Sequence, residues 1–110
     1  MDHDFDAQRA ETLQVWRDLS ATSSLREIAK LDLHFVPASS GADWNGFEAR
    51  LAAAGYNSER YEDGRTLEAS IGPVDFSVDA IWEHELATTK IALDCGFKPD
   101  GWGFFADTRH

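Results

Sequence analysis

The order of strand and helix patterns after residue 30 constrains the fold more strongly than any other feature of the sequence. Residues 31–36 alternate between apolar and polar side chains, which is the pattern of a strand with one buried face, and Pro37 ends this strand. A helical pattern follows over residues 42–54, and Gly55 stands where a left-handed C-cap is expected. The core is therefore predicted to begin with a strand and a helix.

The middle of the chain carries a hairpin signal followed by a long helical pattern. Two strands are predicted over residues 56–61 and 65–71, because Asp63-Gly64 between them strongly favours a tight turn. Ser77 is a suitable N-cap for the helix that follows, and Gly96 ends that helix. The apolar stripe predicted for this helix consists of Val78, Ile81, Trp82, Leu86, Thr89 and Leu93.

The last predicted strand, residues 97–105, completes a β-α-β-β-α-β order from residue 31 onward. This is the order of the ferredoxin-like α+β sandwich, in which one antiparallel sheet packs two helices on one face. A chain of 110 residues is long enough for one such domain and too short for two. We therefore assign residues 30–110 to a single ferredoxin-like domain.

Residues 1–29 precede this core and are predicted to form an N-terminal helical extension of the same compact domain. Residues 5–20 carry apolar side chains at helical spacing. Ser24 and Glu27 form a capping box for a short second helix that runs through Ala29.

The charge of the chain narrows the classes of partner. Twenty acidic residues stand against ten basic ones, for a formal net charge of -10, and no two basic residues are adjacent. Nucleic acids and anionic membranes are bound through clustered lysine and arginine, so we expect neither as a direct partner. A negative field instead steers a protein toward a basic protein partner, although acidic proteins also occur where solubility is the only need.

The cysteine content and the hydropathy pattern indicate the compartment. Cys95 is the only cysteine, so no intramolecular disulfide can form, which fits a reducing compartment. Its expected role is that of a small buried residue at a helix end, with a reactive thiol as the alternative. No apolar run approaches the roughly 20 residues that span a membrane, and the acidic N-terminus does not resemble a signal peptide. We expect a cytoplasmic protein.

The sequence carries no motif for catalysis, metal binding or cofactor binding. It has no nucleophile elbow and no glycine loop that would hold a phosphate. In Glu83-His84-Glu85 the three side chains point to different faces of the predicted helix, and Asp2-His3-Asp4 is a short acidic terminus. We therefore expect no catalytic residue, no metal site and no cofactor.

Asp32 and His34 form the one arrangement that could support chemistry. Both residues lie on the polar side of the first predicted strand. They could form an acid–base pair in a small-ligand site on the open sheet face. The alternative is that they are ordinary solvent-facing residues of an antiparallel sheet.

The segment Asp100-Gly101-Trp102-Gly103 is the candidate protein-binding motif. Glycine on both sides of Trp102 permits unusual backbone angles and the close approach of another chain, and Asp100 can close an Asx turn. The motif can present Trp102 as an aromatic anchor for a partner. Alternatively, a strand bulge folds Trp102 back onto the core.

Three segments resemble the RraB family, regulators of ribonuclease E activity. Residues 97–105 resemble the family's Tyr-Asp-Gly-Trp ending, with Pro99 in the usual tyrosine position. Residues 47–56 are similar to its helix that ends in Gly-Tyr or Gly-Phe, and residues 33–35 to its first strand. The resemblance covers about residues 30–105.

The resemblance implies a ferredoxin-like sandwich without enzymatic activity. It also implies a protein partner, ribonuclease E, and an effect on RNA decay through contact with that endoribonuclease. Two other functions stay open from the residues alone: a self-assembling domain that forms homo-oligomers through its sheets, and a small-ligand-binding domain that uses the face around His34.

Overall fold

The computed structural model describes residues 3–22, 27–28, 30–72, 74–75 and 77–105. Three helices and six strands lie within these residues, numbered here in chain order. They are α1 (Phe5–Thr22), β1 (Glu27–Ile28), β2 (Lys30–Pro37), α2 (Trp44–Ala53), β3 (Asn57–Arg60), β4 (Leu67–Ile71), β5 (Val74–Asp75), α3 (Val78–Asp94) and β6 (Phe97–Phe105).

The main sheet has four antiparallel strands in the order β3-β4-β2-β6. Strand β2 is central to the pairing, with Leu33 opposite Ala69 of β4 on one side and opposite Trp102 of β6 on the other. Strands β1 and β5 form a separate two-stranded antiparallel pair. The described residues therefore form an α+β protein with a four-stranded antiparallel main sheet and three helices.

The core lies between one side of this sheet and helices α2 and α3. On that side β2 and β4 bury every second residue through Leu31, Leu33, Phe35, Leu67 and Ala69, as the two-residue period of a strand requires, whereas the outer strand β3 buries none. The strand residues of the core cluster are Leu31, Leu33, Phe35, Leu67, Ala69 and Phe97. Helix α2 contributes Phe47 and Leu51, and α3 contributes Ile81 and Ala92. Phe97 packs tilted against Phe47, with 4.7 Å between ring centroids.

The helix ends predicted from single residues are confirmed. The Ser77 hydroxyl accepts a hydrogen bond from the Ala80 N–H at 3.1 Å and begins α3. Gly55 and Gly96 follow α2 and α3 with φ angles of 93° and 84°, the left-handed conformation that ends a helix at low cost only for glycine.

The prediction of a short second helix through Ala29 is wrong at Glu27–Ile28. These two residues form β1, which pairs with Val74–Asp75 of β5, whereas Ser24 and Ala29 lie outside the described residues. A capping box is a local signal of modest energy, and here backbone pairing with a segment far along the chain overrides it. The N-terminal extension therefore contains a strand as well as α1.

The buried face predicted for α3 is also partly wrong. Ile81 and Thr89 are buried as expected, but Trp82, Leu86 and Leu93 are only half-buried. The buried residues of α3 are Ile81, Glu85, Thr88, Thr89 and Ala92. The buried surface is shifted because α3 is covered from two directions, by the sheet and by α1.

Polar side chains join α1 to α3. The Gln8 amide donates to Glu85 Oε1 at 2.9 Å and to Thr89 Oγ1 at 3.0 Å, and the Thr12 hydroxyl donates to Glu85 Oε2. All four residues are buried. Burial raises the pKa of Glu85, although the hydrogen bonds from Thr12 and Gln8 act in the opposite direction. Glu85 is therefore a buried carboxyl group in the contact between the helical extension and the core.

None of the helices in the described ranges combines the length and apolar character needed to cross a membrane.

Candidate functional site

The Asp-Gly-Trp-Gly segment forms a bulge in β6. Leu33 of β2 is opposite Trp102, but Phe35 is opposite Pro99, so Asp100 and Gly101 together face the single residue His34. Gly101 has a φ of 105°, a conformation that side-chain-bearing residues rarely adopt. The glycine before Trp102 is thus explained by the backbone of the bulge.

The bulge determines which side of the sheet each motif residue occupies. Residues that are directly opposite in an antiparallel pair project to the same side, so Trp102 lies with Leu33 on the core side. It is half-buried and packs against the core cluster. Gly103 is opposite Asp32 on the other side of the sheet, and Asp100 is exposed. This arrangement is the second of the two alternatives for the motif, in which a strand bulge folds Trp102 back onto the core.

The two glycines of the motif should respond differently to substitution. We expect Gly101→Ala to lower the free energy of unfolding by about 1 to 2 kcal/mol, because alanine is strained at a φ of 105°. We expect Gly103→Ala to be neutral or to stabilise by up to about 1 kcal/mol, because an added Cβ meets nothing within 4 Å and alanine loses less backbone entropy. Urea unfolding of both variants would measure the difference, and equal losses would contradict this account of the bulge.

The side of the sheet opposite the helices carries a connected set of polar residues, called here the polar face. It consists of Lys30, Asp32, His34, Glu59, Tyr61, Glu68 and Ser70. Strand register brings these residues together, because His34 is opposite Glu68, Asp32 is opposite Ser70, and Glu59 is opposite Glu68 on its other side. The strand prediction correctly placed Asp32 and His34 on one side.

Hydrogen bonds within the polar face join His34 to Tyr61 and Glu68. The Tyr61 hydroxyl donates to Glu68 Oε1 at 2.7 Å and lies 3.1 Å from His34 Nε2. The His34 nitrogen is 3.3 Å from the same carboxylate oxygen. The hydrogen bond to Glu68 raises the pKa of Tyr61 to about 12, so this phenol remains a donor at neutral pH.

Asp32 lies beside this hydrogen-bonded group, but its carboxylate oxygen Oδ1 lacks the hydrogen bonds that the group makes. The residue is 3% exposed, and its Oδ1 makes no hydrogen bond. The Lys30 ammonium is 3.5 Å from that oxygen, an ion-pair distance longer than a usual hydrogen bond. Burial raises the pKa of Asp32, and the nearby Glu68 carboxylate raises it further, while Lys30 lowers it.

Two shallow grooves lie at the β3–β4 hairpin, next to the polar face. The larger has a volume of about 410 Å³ and is lined by Glu59, Arg60, Tyr61, Glu62 and Asp63. The smaller has a volume of about 250 Å³ and is lined by Trp44, Arg60, Tyr61 and Gly64. His34 lines neither groove, so neither provides the deep pocket that an acid–base site on Asp32 and His34 would use.

Arg60 is the basic residue of both grooves, and its charge is already compensated. Its guanidinium contacts Glu48 at 2.7 Å and Asn45 at 2.9 Å, and it lies 5.2 Å from the centre of the Trp44 ring. The larger groove therefore presents mainly the carboxylates of Glu59, Glu62 and Asp63.

The two remaining candidate residues, Cys95 and His84, are engaged in contacts within the fold. Cys95 is buried at the C-terminal end of α3, as predicted. The His84 Nδ1 is 2.9 Å from the Tyr56 hydroxyl, which ties α3 to the residue before β3. Among the described residues, no group of three or more histidine, cysteine or acidic side chains is arranged to hold a metal ion.

Comparisons with known proteins add no relative to this picture, because no protein-family model matches the chain and no curated protein does.

Proposed function

We propose that the chain is a non-enzymatic regulator of the RraB kind, which binds an endoribonuclease such as ribonuclease E and thereby changes RNA decay. The proposal starts from the similarity of residues 30–105 to that family. The observation that carries the choice of a protein partner is the net charge of -10, which favours a basic protein surface and opposes nucleic acid.

The strand order supports the ferredoxin-like part of the proposal. Helix α2 connects β2 to β3, and α3 connects β4 to β6, while β4 lies between β2 and β3. Two β-α-β units that interleave in this way are the hallmark of the split arrangement. The motif that most resembles the family lies on β6, where it pairs with the central strand β2.

The chemistry of the polar face favours binding over catalysis. His34, Tyr61 and Glu68 are hydrogen-bonded to one another. The pKa of Tyr61 is raised to about 12, so this phenol stays protonated at neutral pH. A general base needs access to the proton that it removes, and these atoms already satisfy each other. Proteins of this fold carry many functions, so the binding role is argued from these residues and from the charge.

The proposal predicts that the protein binds purified ribonuclease E and slows its cleavage of an RNA substrate. Binding should weaken as salt is added, because attraction between an acidic and a basic surface is screened. Titration calorimetry at two salt concentrations and a cleavage assay would measure both effects. Recovery of other proteins but not ribonuclease E from a lysate, together with unchanged cleavage, would contradict the proposal.

Self-assembly is the alternative with a structural observation in its favour, since β6 is one of the two outermost strands of the main sheet in the described residues. An outer strand can pair with a second copy. Pro99 and the bulge at Asp100–Gly101 interrupt that strand, and two copies of charge -10 repel each other. A concentration-independent monomer mass by light scattering would exclude this alternative.

A further inference from the structure

The outward side of strand β3 offers backbone groups that no neighbouring strand takes up. Among the described strands, β3 pairs with β4 alone. The Tyr61 N–H donates to the Thr66 carbonyl at 2.9 Å, which continues the register of that pair. In an antiparallel pair, residues that bond to the partner strand alternate with residues whose backbone groups point away from it. The N–H and C=O groups of Ser58 and Arg60 therefore point away from β4, and these groups are called here the β3 edge.

The β3 edge is accessible. Glu59 and Arg60 are exposed and Ser58 is half-buried, and none of the described strands lies beyond them. The larger groove, of about 410 Å³, continues from this strand and is lined by the consecutive residues from Glu59 to Asp63, all of them exposed. A strand edge that is open to solvent is a template for pairing with another chain. The edge and the groove together therefore form one surface that a partner can reach.

The uncompensated charge of this surface is negative. In the described part of the chain, the carboxylates of Glu59 and Glu62 make no hydrogen bond and no ion pair. Arg60, the basic residue of the groove, is already held by Glu48 at 2.7 Å. The Asp63 carboxylate accepts hydrogen bonds from backbone N–H groups of the hairpin turn. Two carboxylates without a cation therefore lie beside an open strand edge, and a positively charged chain would compensate them.

The same charges determine which chain can pair with the β3 edge. A second copy would bring its own Glu59 and Glu62 and a net charge of -10, so its approach is repelled. Charged side chains on an outer strand are one of the means by which proteins avoid pairing with copies of themselves. A strand that carries lysine or arginine is attracted instead, because its charges are complementary to those of the groove.

Strand geometry places the basic side chains of such a partner. Glu59 and Tyr61 are two residues apart, so they project to the same side of the sheet. In an added strand, every second side chain would project to that side as well, next to these two residues. The Tyr61 ring is 39% exposed and lines the groove, so it offers an aromatic surface to a neighbouring cation. A segment with a basic residue at every second position therefore fits this surface.

We propose that the β3 edge is the docking surface for an extended, basic segment of a protein partner. The segment adds to the main sheet as a further strand. Backbone hydrogen bonds to Ser58 and Arg60 provide affinity, and alternate lysine or arginine side chains enter the acidic groove. This inference rests on the proposed function for the existence of a protein partner, and it adds the surface that the partner contacts and the way in which it is recognised.

The first test separates backbone pairing from charge attraction. The probe is a fluorescent eight-residue peptide of alternating lysine and threonine, and fluorescence anisotropy measures its affinity. Two further peptides of the same charge carry an N-methyl group on every threonine or on every lysine, so each has lost the backbone donors of one edge. Because only one edge of the peptide faces β3, we expect one methylated peptide to bind about tenfold more weakly and the other to bind within about twofold of the unmethylated peptide.

A variant of the protein tests the same hydrogen bonds from the other partner. Ser58→Pro removes a backbone donor that points away from β4, so the hydrogen bonds between β3 and β4 are retained. The matched control is Ser58→Ala, which removes the hydroxyl group and keeps the backbone donor. We expect the affinity for the unmethylated peptide to fall about tenfold for Ser58→Pro and less than about twofold for Ser58→Ala. Circular dichroism and thermal unfolding would verify that both variants are folded.

A third comparison tests the charge of the groove. Glu59→Gln removes an exposed carboxylate beside the β3 edge, and the matched control Glu83→Gln removes one from an exposed position on α3. We expect the affinity for the unmethylated peptide to fall about threefold for Glu59→Gln and less than about 1.5-fold for Glu83→Gln, as expected for an ion pair at the surface. The difference should shrink as salt is added.

The outcomes separate this inference from the proposed function. Equal binding of all three peptides, together with unchanged binding by Ser58→Pro, would overturn the docking surface. If ribonuclease E binds the parent protein and Ser58→Pro with equal affinity, the docking surface is wrong and the proposed function stands. If the peptide depends on the β3 edge but ribonuclease E does not bind at all, the docking surface stands and the proposed partner is wrong. Dimers of the parent protein that dissociate on Ser58→Pro would overturn the inference in favour of self-association.

Discussion

Trp102→Ala is expected to lower the free energy of unfolding by about 2 to 4 kcal/mol, as expected for truncating a large, partly buried side chain. Trp102 is opposite Leu33 on the core side of the sheet and packs against the buried cluster. Its removal would leave a cavity between the last strand and the core. Urea unfolding followed by far-ultraviolet circular dichroism would measure the loss.

The control for this prediction is Trp102→Phe, which keeps an aromatic ring at the same position. We expect it to lose less than half as much stability, because most of the apolar contact is retained. A different result would assign Trp102 to partner recognition instead. In that case Trp102→Ala would unfold at the same urea concentration as the parent protein and yet fail to bind ribonuclease E.

Glu85→Ala is the second substitution with a large expected effect, again about 2 to 4 kcal/mol of lost stability. The carboxylate accepts hydrogen bonds from the side chains of Gln8 and Thr12, and all three residues are buried. Alanine leaves the Thr12 donor without its acceptor and opens a cavity between α1 and α3. We expect a lower unfolding midpoint, together with faster amide exchange in α1, which loses its link to α3.

Glu85→Gln separates the hydrogen bonds from the charge. The pKa of Glu85 is raised in the folded protein, chiefly by burial. The stability that Glu85 contributes is therefore fully present below the pKa of this group in the unfolded chain. It is lost as the pH rises through the higher pKa of the folded protein. Glutamine does not titrate, so we expect the parent protein to lose stability relative to Glu85→Gln as pH rises from about 4 toward 7. A constant difference in the free energy of unfolding across that range would contradict the assigned burial of this charge.

Much of the fold was predictable because its signals are local. Alternation along β2, the Asp63-Gly64 turn, the Ser77 cap and Gly96 each act within a few residues, and the structure uses all of them. The predicted bounds of the last strand, residues 97–105, coincide with those of β6. Such signals determine where elements begin and end, and the consistent order of elements limits the possible topologies.

Features that depend on distant partners were missed. Strand β1 exists because Glu27–Ile28 meet Val74–Asp75, a pairing that nothing near Ser24 indicates. Glu85 was predicted to point toward a different face from its neighbours, but its burial depends on how α1 docks against α3. The signal available in the sequence is that Glu85 and the threonines at 88 and 89 give the helix a polar side. This signal is weak, because it does not show how α1 docks against that side.

In the candidate site, too, local features were predictable and contacts with distant residues were not. The alternation of residues 31–36 places Asp32 and His34 on one side, and this prediction is confirmed. The partners of His34 could not be predicted, because Tyr61 and Glu68 come from the hairpin and depend on strand register. The sequence also gives no indication that Asp32 is shielded from water, because burial of a polar strand residue depends on what lies opposite it on both neighbouring strands.

The pairing of β2 with β6 has a consequence for how the protein is made. Lys30 is opposite Phe105, so the central strand of the sheet cannot complete its pairing with β6 until residue 105 has left the ribosome, about 70 residues after β2 itself. Contacts between residues so far apart in sequence are also formed slowly, because a long loop must close first. During synthesis, one edge of β2 therefore stays exposed until its last partner emerges, and in that interval the nascent chain is most open to chaperones and to aggregation.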